Sequence, residues 1–141
     1  MTFKAVEDIL RCNPDFHHAP RYDGIIYRKD NGVEAFAKLV YITTHVLREV
    51  RYGVVLIQPL DANLGPRRQK DMDLGLYRVH AKRRDQCEVI AINSIVRGAL
   101  IVKDIGCEFD DEYYVLDVID CDMFQRMKTH FATRFPSLAK Y

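Results

Sequence analysis

Apolar and polar residues along this chain fall mostly into short runs with a period of two, which is the spacing of strands rather than helices. Two runs, Cys87–Ile92 and Ala99–Val102, are rich in Val and Ile and too short for helices, so they read as strands buried on both faces. Asn93-Ser94-Ile95-Val96-Arg97-Gly98 joins them and predicts one compact corner with the core formed around it. Ile25–Arg28 reads as a strand, and Asn31-Gly32 after it signals a type I′ hairpin, since both central residues must tolerate positive φ. Glu34–Leu47 is β-branched and long, and predicts a strand, with Arg48–Arg51 as a solvated connection. Tyr52–Gln58 reads as a central strand ended by Pro59, which lacks a ladder donor.

Asp61–Asp73 reads as a loop around Gly65-Pro66. Leu74–Lys82 then alternates, Tyr77, Val79 and Ala81 against Arg78, His80 and Lys82, which predicts an edge strand with one basic, wet face. Ile105–Glu112 is an acidic turn, and Tyr113–Ile119 reads as the last strand, with Tyr114, Leu116 and Val118 inward. Asp120 or Asp122 caps a closing helix whose stripe is Met123, Phe124, Met127 and Phe131, stopped by Pro136. Phe3, Val6, Ile9 and Leu10 predict a short amphipathic helix over Phe3–Arg11, ending before Pro14, and Pro20–Gly24 reads as a turn. The expected fold is therefore mainly β, a small antiparallel barrel or sandwich of about six strands with a C-terminal helix. The expected organisation is an N-terminal helix and linker over 1–19, one β-rich domain over 20–135 and a tail over 136–141.

With 141 residues, 48% of them hydrophobic, the chain can bury one sizeable core. Cys12, Cys87, Cys107 and Cys121 form no C-x-x-C pair, and the charged start Met1–Asp8 is unlike a secretory leader, so reduced thiols in the nucleus or cytoplasm are expected. No run reaches the about 18 apolar residues of a membrane span, so no membrane partner is expected.

Charge changes the picture through its layout. The total is +1, from 21 Lys and Arg against 20 Asp and Glu. Within Gly65–Arg84, however, seven bases stand against two acids, and within Asp104–Asp122 eight acids stand with no base. The basic segment, with Arg67, Arg68, Lys70, Arg78, His80, Lys82, Arg83 and Arg84, is the candidate nucleic-acid contact face, tracking a phosphate backbone. The alternative is that the two segments pair, either within the fold or between copies of a homo-oligomer.

Other chemistry is thinly signalled. Asp117, Asp120 and Asp122 are the only candidate set for a metal-dependent hydrolase, although strand alternation and helix capping account for them otherwise. Cys12, His17 and His18 lack a second ligand pair for structural zinc, and His45 in a β-rich stretch reads as a structural residue. No nucleophile elbow, Gly-rich phosphate loop or H-E-x-x-H occurs, so no enzyme, metal or other cofactor is expected. Tyr22, Tyr27, Tyr41, Tyr52, Tyr77 and Tyr113 near strand ends are candidates for an aromatic cage around a methylated lysine, or for amphipathic rim residues.

Pro20-Arg21-Tyr22-Asp23, Leu56–Asp61, Lys70–Arg78, Ser94–Ala99 and Asp117–Phe124 together resemble the C-terminal module of fungal Plavaka-type (KDZ superfamily) transposon-encoded proteins, over roughly Pro20–Lys128. The strand-rich plan with its Ile-Val-Arg-Gly corner is also similar, at the level of fold, to bromo-adjacent homology (BAH) modules. The resemblance implies a non-catalytic accessory module working beside DNA or chromatin in the nucleus, and it carries over no functional residues.

Overall fold

The computed structural model describes residues 9–62 and 66–131. It is mainly β, as the period-two pattern requires. A two-stranded sheet pairs β1 (Cys12–Phe16) with β2 (Ala19–Tyr22). The main sheet takes β3 (Gly24–Arg28), β4 (Glu34–Leu47), β5 (Val50–Ala62), β6 (Tyr77–Ala81), β7 (Glu88–Ala91), β8 (Ile95–Lys103) and β9 (Glu112–Leu116) in the order β4-β3-β8-β9-β6-β5-β7, all antiparallel. Because β4 also pairs with β5, six strands close into a barrel-like ring and β7 lies outside it on β5. The closure is incomplete: β5 and β6 share only the register Leu60↔Ala81 to Ala62↔Val79.

Alternation along these strands builds two cores. Inside the ring, Ile26, Phe36, Leu60, Tyr77, Val79 and Val115 pack with Met123 and Met127. Those two methionines belong to α2 (Cys121–Arg126) and the wider turn Met127–Phe131 after it, so the helix plugs one end of the ring. Asp120 caps α2 as expected, its side chain accepting from Met123 N at 2.8 Å. Outside the ring, Ile25, Tyr27, Ala37, Leu39, Val55 and Ile57 form a second core under Leu10, Cys12, Ile90 and Ile95. Gly24 is required where β3 crosses β8: a Cβ there would lie 2.7 Å from the Ala99 carbonyl oxygen and 2.5 Å from Ile101.

Several expectations are corrected. The apolar corner Cys87–Lys103 forms no core of its own: Ile90 and Ile95 pack against the outer core and Val96, Ala99 and Ile101 against the inner one, while β7 is an edge strand with Val89 exposed and β8 departs to lie between β3 and β9. Leu74–Lys82 is no edge, because β6 lies between β5 and β9. On β9 the inward residue is Val115, while Tyr114 faces outward into polar company and Val118 lies beyond the strand in water. Pro59 does not end β5; it sits opposite Ala37, and its carbonyl accepts from Lys82 N at 2.9 Å. The donor that proline lacks is replaced by Gln58 Nε2, which donates to the Lys82 carbonyl at 2.6 Å.

Turn chemistry also differs. At Asp30-Asn31-Gly32 only Gly32 takes positive φ, and Gly32 N bonds the Lys29 carbonyl, so the loop has three residues and is not type I′. Positive φ at both central positions occurs instead at His17-His18 and at Arg48-Glu49, which are two-residue hairpin turns without glycine. The supposed turn Pro20–Gly24 belongs largely to β2, the solvated connection Arg48–Arg51 is a tight turn, and the loop Asp61–Asp73 contains the end of β5 and α1 (Gln69–Asp73). Of the Phe3–Arg11 helix, 1–8 lie outside the described residues and Ile9–Arg11 are not helical; the Phe131 side chain and Pro136 also lie outside.

Candidate functional site

β6 and β9 turn one face to the inner core, through Tyr77, Val79 and Val115, and the other face outward, through Arg78, His80, Glu112 and Tyr114. The outward face is covered by the segment 66–76 and the turn after β8. Arg78 therefore lies at the centre of a buried charge cluster, its side chain only 3% exposed. Its guanidinium donates to Asp71 at 2.7 and 3.0 Å, lies 2.9 Å from Asp104, and bonds Glu112 and the Tyr114 hydroxyl. Tyr114 Oη in turn lies 3.0 Å from Asp71 and 3.1 Å from Asp104. No buried side-chain nitrogen or oxygen among the described residues lacks a partner.

The electrostatics follow from that closure. Burial pushes the Asp71 carboxyl up, but hydrogen bonds from Arg78 and Tyr114 more than offset it and leave it below the ordinary range. Asp104 shows the same balance, with Gly106 N as a further donor. Glu112 is also lowered: burial raises it, and Cys107 with Arg78 and Arg68 outweigh burial. Arg78 itself is held cationic, first by its bonds to Asp71. Three buried carboxylates and one buried guanidinium are completed by Arg68, 2.9 Å from Glu112, and by Lys70, 3.7 Å from Asp104.

Of the residues expected to form a basic face, Arg68, Lys70, Arg83 and Arg84 are exposed, Arg67, His80 and Lys82 are partly buried, and Arg78 is buried. Arg78 is the clearest correction, since a buried side chain held by carboxylates cannot reach a phosphate. Arg67 bonds the Asp71 and Leu76 carbonyls, His80 lies 3.6 Å from Glu112, and Lys82 lies 3.7 Å from Asp61. Arg83 stays in water, 82% exposed beside Asp85, and Arg84 forms no ion pair among the described residues. The basic segment does meet acids of Asp104–Asp122 within one chain. A second group of those acids is taken by Arg97, which bonds Asp120 at 2.7 Å and Asp122 at 2.7 Å, while Arg126 bonds Asp122 at 2.8 Å. Arg97 and the Met123 amide hold the Asp120 carboxyl down at about 2.

Two sets could face a metal. At Asp120 and Asp122 the position is occupied by the Arg97 guanidinium, and Asp117 joins neither residue. Asp104, Cys107 and Glu112 place ligand atoms within 4.8 Å of one another, yet their lone pairs already serve Arg78, Arg68 and Tyr114. The tyrosines do not gather into a cage: Tyr27 and Tyr77 are core residues, Tyr41 and Tyr52 are exposed on β4 and β5, and Tyr22 and Tyr113 line a groove of about 560 Å³. That groove continues the inner face of the ring beyond its core, with Lys38, whose amine lies 3.2 Å from the Tyr113 hydroxyl, and with Gln58 and Arg84.

One feature escaped sequence reading altogether. β4 pairs with β3 only through Glu34–Lys38 and β5 pairs with β7 only through Val54–Ile57. Residues 41–53 consequently leave the ring as a ribbon, flanked by β7 behind 41–43 and two-stranded over 44–53, closed at Leu47↔Val50 by the Arg48-Glu49 turn. One face aligns Tyr41, Thr43, His45 and Leu47 with Leu56, Val54, Tyr52 and Val50; the other carries Ile42 and Val46. Tyr41 (60%), Val46 (65%) and Leu47 (63%) are exposed, together with Val50 and Tyr52. The available signal was length: Glu34–Leu47 is far longer than the strand it pairs with in the first hairpin.

Compared with family models, with curated proteins and with solved structures, the chain finds no match. No helix among the described residues is long and apolar enough to cross a membrane.

Proposed function

We propose that this chain is a non-catalytic interaction module whose contact element is the ribbon 41–53. The carrying observation is that one hairpin exposes six large apolar side chains on its two faces, Tyr41, Ile42, Val46, Leu47, Val50 and Tyr52. An isolated two-stranded hairpin is marginal in water, and exposed apolar patches of this kind mark interaction sites. Asp120 and Asp122 are committed to Arg97 and Arg126, and Asp104 and Glu112 to Arg78, which supports a binding role over a metal-dependent one. The likeness to transposon-encoded modules and to BAH domains supplies the setting, an accessory piece that docks a chromatin protein in the nucleus.

The test is selection of strand-forming peptides from a displayed library against the folded chain. Peptides that bind the parent protein and lose binding to Tyr41→Ser/Leu47→Ser/Tyr52→Ser, but not to Arg83→Glu/Arg84→Glu, are the expected result. Recovery of peptides indifferent to the ribbon changes would overturn the reading. A second reading, direct contact with nucleic acid, is favoured by Arg83 and Arg84, which stay in water while their neighbours turn inward. It requires that anisotropy of labelled duplex DNA report binding that weakens with salt and with Arg83→Glu/Arg84→Glu.

A further inference from the structure

We infer that the ribbon's partner is a second copy of this chain, joined edge to edge along 41–47 of β4. This rests on the ribbon being the contact element and adds the identity of what it contacts. Among the described residues, this edge of β4 has no ladder partner past its Gly24↔Lys38 pair with β3. Unpaired strand edges are normally guarded by charge, proline or a bulge. From Leu39 to Leu47 there is no charged residue and no proline, and the bulge at Val40 lies before the free stretch. The other ribbon edge differs, since β5 carries Arg51 next to the Arg48-Glu49 turn, and the outer edge of β7 carries Glu88.

The sequence of the free edge is matched to its own reverse. Antiparallel pairing about a two-fold axis at Thr44 sets Tyr41 opposite Leu47, Ile42 opposite Val46 and Thr43 opposite His45. The first is aromatic with aliphatic, the second β-branched with β-branched and the third polar with polar, and no like charges meet. The faces agree as well, because odd-numbered residues meet odd and even meet even. Two ribbons so joined form a four-stranded sheet, past the three strands needed for independent stability, and the odd face gathers Tyr41, Leu47, Val50 and Tyr52 from both copies into one apolar stripe. The contact closes on itself, so it yields a dimer and not a fibre.

Sedimentation velocity of the full chain across the micromolar range tests this. The parent is expected to shift from monomer to dimer with concentration. Thr44→Lys and Thr44→Glu, exposed changes that place like charges across the two-fold, are each expected to weaken the dimer several-fold while keeping the parent's circular dichroism. Mixed in equal amounts, the two variants are expected to recover association as a heterodimer, an outcome that only self-pairing at Thr44 gives. A monomer at every concentration, a dimer unmoved by both variants, or open-ended polymer would each overturn the inference. A monomeric parent that still selects ribbon-dependent peptides would overturn it while leaving the interaction reading intact.

Discussion

At the scale of single residues, Arg78 decides the difference between a surface and an interior. One guanidinium bridges Asp71, Asp104 and Glu112, and its removal leaves the buried Asp71 without an ion-pair partner and Asp104 and Glu112 with only the more exposed Lys70 and Arg68. Breaking a buried pair in this way costs about 3–5 kcal/mol, so Arg78→Met is expected to lower unfolding stability by that amount in urea titration. Arg83→Glu, on a solvated side chain, is expected to change stability by less than about 0.5 kcal/mol. The same cluster fixes the acid response. All three carboxyls sit below their ordinary values when folded, so their stabilisation is present above about pH 4–5 and is lost as pH falls through the unfolded value toward the lowered folded ones. In Arg78→Met the carboxyls lose the cation shared by all three, while Tyr114, Gly106, Arg68 and Lys70 remain, so they rise relative to the parent; the stability gap between parent and variant is therefore expected to narrow from pH 7 to pH 4. A gap that stays constant over that range would contradict the charge assignment.

At the scale of elements, what was legible in the sequence is the local pattern. Ile25–Arg28 and Glu34–Leu47 emerge as strands close to the limits that alternation set, and Asp120 caps the closing helix because its carboxylate lies three residues before the Met123 amide. What was not legible depends on partners remote in sequence. Arg78 and His80 alternate like a wet face, yet their register against Tyr114 and Glu112 buries them; a base-rich run and an acid-rich run of equal period were the available hint. Val89 reads as core by composition but lies on an edge. The Arg48-Glu49 turn was hidden because type I′ turns normally advertise themselves with Asn-Gly, and neither residue here relieves the strain of positive φ. Replacement by Asn-Gly is accordingly expected to stabilise the ribbon, read as slower amide exchange over 41–53, with no change in the ring. Faster exchange there would show that the present turn geometry is not the one occupied.

At the scale of the whole molecule, a near-neutral chain with separated basic and acidic blocks spends most of that charge on itself. Arg68, Lys70 and Arg78 meet Asp104 and Glu112 on the ring's outer face, and Arg97 and Arg126 meet Asp120 and Asp122 at the plugged end. The buried side-chain polar atoms of the described residues all have partners, and the ribbon gathers Tyr41, Ile42, Val46, Leu47, Val50 and Tyr52 exposed on one hairpin. Hydrogen–deuterium exchange of the full chain at low and at high protein concentration tests this division most directly. Protection is expected to rise with concentration across 41–53 and to stay constant across 66–84; concentration-dependent protection of the basic segment, with the ribbon unchanged, would contradict it.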